Sequence, residues 1–183
     1  AGTTGLHIRE RLQGLNHVNL LSIDAEQRKN TIAKQALLAQ ADAVVLCLHD
    51  DAARETVALV DELVGRNVHA PRIVDASTAH RVSDGWVYGF AELCNAQPQL
   101  IKQANRVANP GCYATGAIAM LRPLIDSERI APSAQVCLPS VSGYSGGGRA
   151  MIEAYEAARA PLFQLYGLGL QHKHLSEIMH WSG

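Results

Sequence analysis

The chain has 183 residues, 48% of them hydrophobic and 18% charged, and its formal net charge is −1. This composition is typical of one sizeable globular domain, or one domain and part of another, rather than of a disordered chain. A net charge so close to zero provides no basic surface for nucleic acid or anionic lipid. No apolar run reaches the roughly 18–20 residues that a membrane-spanning helix needs. The four cysteines have no disulfide-like spacing, so we expect a cytoplasmic protein.

The first element is a glycine turn that opens a helix. Residues 2–5, Gly-Thr-Thr-Gly, precede apolar residues at helical spacing, and backbone N–H groups at such a helix start bind phosphate. The spacing is part of a dinucleotide-binding fingerprint, although pairs of glycines mark ordinary turns more often. Because the chain begins with Ala1 inside this turn and stops at Gly183 without a closing element, we expect that segments are missing at both ends.

Strand and helix patterns then alternate. Short apolar runs predict strands over 18–23, 43–48 and 72–75, and periodic patterns predict helices over 24–40 and 50–65. This alternation predicts an α/β fold with a Rossmann-like, doubly wound parallel sheet, in which ligands bind at the carboxyl ends of strands. The near-continuous apolar run over 43–48 is typical of a strand that is buried on both faces.

The end of the strand over 18–23 bears on the choice of nicotinamide cofactor. Ser22, Arg28 and Lys29 suit the 2′-phosphate of NADP, whereas Asp24 suits the ribose hydroxyl of NAD. The residues by themselves therefore leave both cofactors open. Arg28 and Lys29 also fit a solvated helix face.

A polar loop follows the strand over 72–75. Two roles fit Arg81: its guanidinium is suited to an anionic group of a substrate, or it ties down its own loop. Ser77 lies where the carboxyl end of the strand would meet a ligand. We interpret Asp75 as a brace for the same loop.

Cys112 stands between an Asn-Pro-Gly turn and a helical pattern. We therefore predict that it lies at or next to a helix N-terminus, where exposed N–H groups and the helix dipole favour a thiolate. A thiolate held on a rigid turn is a good acyl nucleophile. The alternative is a buried structural cysteine.

The rest of the chain predicts a strand over 134–141, a helix that starts at Arg149 and a last strand over 163–170. A glycine-rich loop over 142–148 follows the first of these strands. Its three successive glycines suit close approach of the backbone to a ligand, or a hinge.

Two histidines near the end are candidates for proton transfer. A catalytic cysteine usually works with a histidine that the fold brings near it, and His172 and His174 are the natural candidates. Glu177 is three residues beyond His174, close enough on a helical turn to orient its imidazole. Local spacing indicates no third ligand for a metal, so we predict no metal site.

Together these motifs resemble the N-acetyl-γ-glutamyl-phosphate reductases of arginine biosynthesis, in their shorter, second type. The motifs that carry the resemblance are residues 2–6, 75–81, 86–90, 109–116, 141–148 and 172–177. Ala114 stands where that family commonly has proline. The family's first strand and its C-terminal part have no counterpart in the chain.

The resemblance implies two domains. Residues 1–111 would form a Rossmann-like NADP-binding domain, and residues 112–183 an incomplete α+β catalytic, substrate-binding and dimerisation domain of the semialdehyde-dehydrogenase type. The implied reaction is NADPH-dependent reduction of N-acetyl-γ-glutamyl phosphate to the semialdehyde, with release of phosphate, through a thioester on Cys112. The implied assembly is a dimer or tetramer with no nucleic-acid or membrane partner. The alternatives are a sister enzyme of the aspartate-semialdehyde type and a non-catalytic nucleotide-binding module.

Specific residues follow from the resemblance. Cys112 would be the nucleophile, and His174 or His172 the acid–base group, with Glu177 bracing His174. The implied contacts with NADP are made by Gly2, Thr3, Thr4, Gly5, Ser22, Arg28, Ser142, Gly143 and Gly146. The implied contacts with the substrate are made by Ser77, Arg81, Asn109 and Tyr144.

Overall fold

The structure is a computed structural model that describes residues 3–183, with side chains described from His7 onward. The described chain divides into two compact units, residues 3–110 and residues 111–183. Gly2, one of the expected cofactor contacts, lies outside the described residues.

The first unit is a four-stranded parallel sheet with helices. Its helices are α1 (Thr3–Gln13), α2 (Thr31–Leu38), α3 (Asp50–Gly65) and α4 (Gln97–Gln103). Its strands are β1 (Ala43–Leu46), β2 (Arg72–Asp75), β3 (Val87–Tyr88) and β4 (Arg106–Ala108). The strand order is β1-β2-β4-β3, and every pairing is parallel. The α/β fold expected from the alternating pattern is confirmed.

The core of this unit lies between α3 and the sheet. Ala53, Val57 and Val60 recur at helical spacing along α3 and are buried against Leu46 of β1 and Ile73 of β2. The helix ends where Asn67 takes a left-handed conformation, with φ of 53°. The apolar stripe of α3 therefore packs the helix against the sheet.

The helix expected over 24–40 and the burial expected for β1 are corrected in detail. The helix expected over 24–40 is a short 3₁₀ turn (Ala25–Gln27) followed by α2, because the side chain of Asn30 caps α2 by accepting the N–H groups of Ile32 and Ala33. Val45 in β1 is 37% exposed, so β1 is not buried on both faces. In the described sheet β1 is an edge strand that pairs with β2.

The second unit is built from helices. They are α5 (Cys112–Asp126), α6 (Arg149–Glu156) and α7 (His174–Trp181), and a 3₁₀ turn spans Tyr144–Gly147. One face of α5, with Ala114, Ala117 and Ile118, is buried, and α5 packs against α7. The helices predicted to follow Cys112 and to start at Arg149 are confirmed.

Three predicted strands are wrong. Within the part of the chain that the structure describes, residues 18–23, 134–141 and 163–170 form no strand. A strand exists only where its N–H and C=O groups pair with a neighbouring strand, and apolar or alternating sequence supplies the tendency but not the partner. Phe163, for example, is 71% exposed rather than packed in a sheet.

Candidate active site

Cys112 is the first residue of α5. Gly111 caps the helix in an extended conformation, with φ of −70° and ψ of 145°, and the thiol of Cys112 is exposed. The predicted position at a helix N-terminus is confirmed. A thiol at this place meets the N–H groups of the first turn and the positive end of the helix dipole. The alternative of a buried cysteine does not describe this residue.

Gly111 is held on both sides of its backbone. Its N–H donates to the Glu177 carboxylate at 2.7 Å, and that carboxylate is only 1% exposed. Its carbonyl accepts the N–H of Thr115 at 2.9 Å and the Thr115 hydroxyl at 2.8 Å. The residue directly before Cys112 is therefore fixed by contacts from α5 and α7.

The two candidate histidines lie at the start of α7 and differ in exposure. His174 is the first residue of the helix and is 8% exposed, whereas His172 is exposed. The backbone N–H of His174 donates to Nδ1 of His172 at 3.2 Å. The two imidazole rings pack edge to face, with their centroids 4.6 Å apart. This bond leaves the proton of a neutral His172 on Nε2. The choice between the two as acid–base group stays a prediction.

The glycine-rich loop over 142–148 is largely exposed. Gly148 has φ of 77° and ψ of −169°, a conformation that essentially only glycine adopts. A Cβ on Gly147 would lie 2.5 Å from the sulfur of Met151. Internal packing and backbone conformation thus explain two of the three successive glycines.

The expected ligand contacts in this loop have partners within the second unit. The Ser142 hydroxyl donates to the Gly143 carbonyl at 3.1 Å, and the Gly146 N–H donates to the same carbonyl at 3.0 Å. The ring of Tyr144 stacks on that of Tyr155 at 5.0 Å. Their roles toward cofactor and substrate stay predictions.

Asp75 organises the loop over 75–81. Its carboxylate is fully buried and accepts the Ser77 N–H at 2.9 Å, the Ser77 hydroxyl at 2.7 Å and Nδ1 of His80 at 2.6 Å. The His80 ring stacks on Trp86 with a centroid distance of 4.2 Å. These contacts support the interpretation of Asp75 as a brace, and they place Ser77 inside the network.

Arg81 is 8% exposed and binds main chain. Its Nε donates to the Asn109 carbonyl at 3.0 Å, and a terminal nitrogen donates to the Ala76 carbonyl at 3.2 Å. The Asn109 N–H in turn donates to the Asp75 carbonyl at 2.7 Å, and its side-chain amide donates to Pro110. Of the two roles that fit the sequence, these contacts favour the one in which Arg81 ties down its loop.

A second carboxylate that sequence reasoning missed also holds this loop. Asp50, the first residue of α3, accepts the N–H of Thr78 at 3.0 Å and its hydroxyl at 2.5 Å. The sequence predicts that Asp50 lies at a helix start, but it does not predict the hydrogen bonds to Thr78, which is 28 positions later in the chain. His80 was likewise visible as a residue of the motif, without a sign of its bond to Asp75.

Ser22 is hydrogen-bonded to a guanidinium and lines a cavity. The Ser22 hydroxyl accepts a hydrogen bond from the guanidinium of Arg9 in α1 at 3.0 Å. Beside it lies a cavity of about 290 Å³, lined in part by Ser22, Asp24 and Gln27. Arg28 follows the 3₁₀ turn and is exposed. A guanidinium and a hydroxyl together are suited to binding a phosphate group.

Arg9 was not predicted, because the pair joins residues 13 positions apart. The other expected cofactor residues, Thr3, Thr4 and Gly5, lie in the first turn of α1. Across residues 3–183, no cluster of three or more His, Cys, Asp and Glu side chains is arranged to hold a metal ion. None of the described helices combines the length and apolarity needed to cross a membrane.

Residues 112–183 match the family model described as "Semialdehyde dehydrogenase, dimerisation domain". The match begins at the cysteine that opens α5, and the preceding unit carries a parallel α/β sheet. Fold and match together are typical of the semialdehyde-dehydrogenase class.

Curated relatives carry a more specific name. The chain is 50% identical over 97% of its length to the N-acetyl-gamma-glutamyl-phosphate reductase of Chelativorans sp. strain BNC1. It is 48% identical over its whole length to N-acetyl-gamma-glutamyl-phosphate reductase 2 of Pseudomonas putida strain KT2440, and 50% identical over 98% to the reductase of Rhizobium meliloti strain 1021. The resemblance seen in the motifs is confirmed. The chain spans 56–58% of the length of these relatives.

Proposed function

We propose that the chain is part of an NADPH-dependent reductase that converts N-acetyl-γ-glutamyl phosphate to N-acetyl-glutamate semialdehyde and phosphate, in arginine biosynthesis. Residues 1–111 serve as the NADP-binding domain and residues 112–183 as the catalytic, substrate-binding and dimerisation domain. The observation that carries the proposal is the exposed thiol of Cys112 at the N-terminus of α5. The names of the relatives supply the substrate and the reaction.

In the proposed reaction Cys112 is the nucleophile. Its sulfur forms a bond to the acyl carbon, the bond from that carbon to the phosphate oxygen breaks, and phosphate leaves with the electron pair. The product is a thioester on Cys112, and the proton of the thiol passes to a histidine. A covalent intermediate of this kind splits one difficult reduction into two easier steps.

The second half of the reaction needs a hydride and a proton. When bound, NADPH supplies the hydride that reduces the acyl carbon. A histidine moves the proton as the adduct on Cys112 collapses to the semialdehyde and the free thiol. We assign this role to His174, the buried first residue of α7, which packs against α5, and keep His172 as the alternative.

For the cofactor we propose NADP rather than NAD. The sequence predicts Ser22 and Arg28 as ligands of the 2′-phosphate. We add Arg9, because its guanidinium donates a hydrogen bond to the Ser22 hydroxyl. Gly2, Thr3, Thr4 and Gly5 are proposed to face the cofactor phosphates, and Ser142, Gly143 and Gly146 its nicotinamide. Ser77, Arg81, Asn109 and Tyr144 are proposed on the substrate side. The hydrogen bonds of Ser77, Arg81 and Asn109 described above favour a structural role for these three residues, in which they hold the loop over 75–81.

The reaction is tested in reverse, by phosphate-dependent reduction of NADP with the aldehyde. N-acetyl-glutamate semialdehyde should be the preferred substrate over aspartate semialdehyde and glyceraldehyde 3-phosphate. Cys112→Ser should lower the rate by about a thousandfold or more, because the covalent route is lost. Cys137→Ser removes another exposed thiol of the second unit and should leave the rate unchanged. Preference for aspartate semialdehyde would identify a sister enzyme, and an active Cys112→Ser variant would exclude the thioester route.

The assembly is proposed to be a homo-oligomer, a dimer or a tetramer. The support is the description of the family that residues 112–183 match, which names a dimerisation domain. Light scattering coupled to size exclusion should give a mass of two or four chains at micromolar concentration. A single-chain mass at every concentration would contradict it.

A further inference from the structure

We propose that Glu177 is a positioning residue for Cys112, acting through the N–H of Gly111. Its carboxylate accepts that N–H at 2.7 Å, and Gly111 is the residue that caps α5 directly before Cys112. The inference rests on the proposed function only in taking Cys112 as the nucleophile. It differs from the sequence expectation, in which Glu177 acts on His174.

The position of a buried carboxylate here has a physical reason. Glu177 is 1% exposed, and burying a charged group is costly unless hydrogen bonds and charge compensate it. Glu177 lies in the first turn of α7 and accepts a hydrogen bond from the cap of α5. The N-terminal ends of two helices, each with a partial positive charge, therefore stabilise one carboxylate.

Within its own sequence, α5 has no side-chain acceptor for the N–H of its capping residue. In a capping box, the side chain at the third helical position accepts the N–H of the capping residue. The third residue of α5 is Ala114, which is fully buried and has no acceptor, and Gly111 has no side chain. Glu177 supplies from α7 the bond that α5 cannot make for itself.

The contact restrains the backbone from which the nucleophile projects. Glu177 holds the N–H of Gly111, and Thr115 holds its carbonyl through two hydrogen bonds. With its cap fixed, the first turn of α5, from which Cys112 projects, is held in place. Backbone N–H groups at a helix N-terminus in general favour a thiolate over a thiol, so loosening the cap should lower the reactivity of Cys112.

The test compares two variants that both remove the charge. Glu177→Gln keeps an acceptor oxygen, whereas Glu177→Met fills similar space without an acceptor. The measured quantity is the rate at which iodoacetamide alkylates Cys112, relative to Cys137 in the same molecule, followed by peptide mass spectrometry at neutral pH. We expect Glu177→Gln to stay within about twofold of the wild type and Glu177→Met to react about fivefold more slowly, a size typical of interactions at a helix end.

The matched control is Glu153→Gln. Glu153 is an exposed carboxylate of the second unit that pairs with Arg149 four residues before it. Glu153→Gln should leave the rate of alkylation of Cys112, relative to that of Cys137, unchanged. Circular dichroism checks that each variant keeps its helices. If Glu177→Met fails to fold, Thr115→Val takes its place, since it removes the hydroxyl bond to the Gly111 carbonyl and should also slow Cys112.

Two results would overturn the inference. Equal slowing in Glu177→Gln and Glu177→Met would show that the charge acts and not the hydrogen bond. Wild-type reactivity in Glu177→Met, or in Thr115→Val where that variant is used, would show that the cap does not control the thiol. Alkylation needs neither cofactor nor acyl phosphate, so this outcome is independent of whether the protein reduces N-acetyl-γ-glutamyl phosphate.

Discussion

The loops over 75–81 and 142–148 have similar signals in the sequence but are organised differently. Both are polar segments that were predicted to meet a ligand. In the first, buried Asp75, Ser77, His80 and Arg81 form a hydrogen-bonded network. In the second, the side chains are largely exposed and the main chain turns through a 3₁₀ helix and a glycine with positive φ. Side chains determine the shape of one loop, and glycine conformation determines that of the other.

The largest effect is expected at Asp75. Asp75→Ala should lower the free energy of unfolding by about 3 kcal/mol or more, because it leaves Ser77 and His80 with buried polar groups that have lost their partner. Chemical denaturation followed by tryptophan fluorescence measures this, since Trp86 stacks on His80. Asp84→Ala, at an exposed aspartate close by, is the control. A loss no greater than in that control would mean that the network does not hold the loop.

The second loop should be sensitive to backbone conformation instead. Gly148→Ala should destabilise the protein by about 1–3 kcal/mol, because alanine is strained at φ of 77° and ψ of −169°. Gly116→Ala is the matched control: Gly116 lies inside α5 with open space around it, so alanine should stabilise by up to about 1 kcal/mol. Thermal unfolding by circular dichroism compares the two. Destabilisation by both would contradict the description of Gly148.

A smaller effect is expected at Ser77. Ser77→Ala should cost about 1–2 kcal/mol, since it removes one hydroxyl that donates to Asp75 and accepts the Ala79 N–H. Combined with Asp75→Ala, its cost should be less than additive, because both substitutions break the same bond. Denaturation of the two single variants and the double variant measures this coupling. Full additivity would show that Ser77 and Asp75 act separately.

The smallest effect concerns Cys47, at the end of β1. Burial, and secondarily the charge of Asp75, raise the pKa of the Cys47 thiol. Cys47 should therefore be alkylated more slowly at pH 8 than the three exposed cysteines, and Asp75→Asn should speed it only slightly because burial remains.

The direction of the pH effect on stability follows from the raised pKa. The folded state favours the protonated Cys47 thiol. Its contribution to the free energy of unfolding is therefore fully present below the pKa of an unfolded thiol, and it is lost as pH rises through the raised pKa of the folded state. Mass spectrometry of each alkylated cysteine across pH checks the order of reactivity. Alkylation of Cys47 at the rate of Cys112 would contradict the burial of its thiol.

Much of the candidate site was predictable where the signal is local. The turn before Cys112 and the apolar pattern after it place a cysteine at the start of α5, since both features depend on neighbouring residues. The strands predicted over 134–141 and 163–170 are wrong, because a strand depends on a distant partner that the local sequence does not supply. The same limit applies to Glu177: its spacing from His174 was visible, whereas its bond to Gly111 joins residues 66 positions apart.

The sequence by itself determined the β1–α3–β2 succession of the first unit, the position of Cys112 and the resemblance to a reductase family. These follow from local propensity, periodicity and motif spacing. The tertiary structure alone decided that Arg81 binds main chain, that Asp75 and Asp50 hold one loop, and that Glu177 reaches the cap of α5. Each of these depends on burial, which makes a polar side chain take the partner that packing brings within reach.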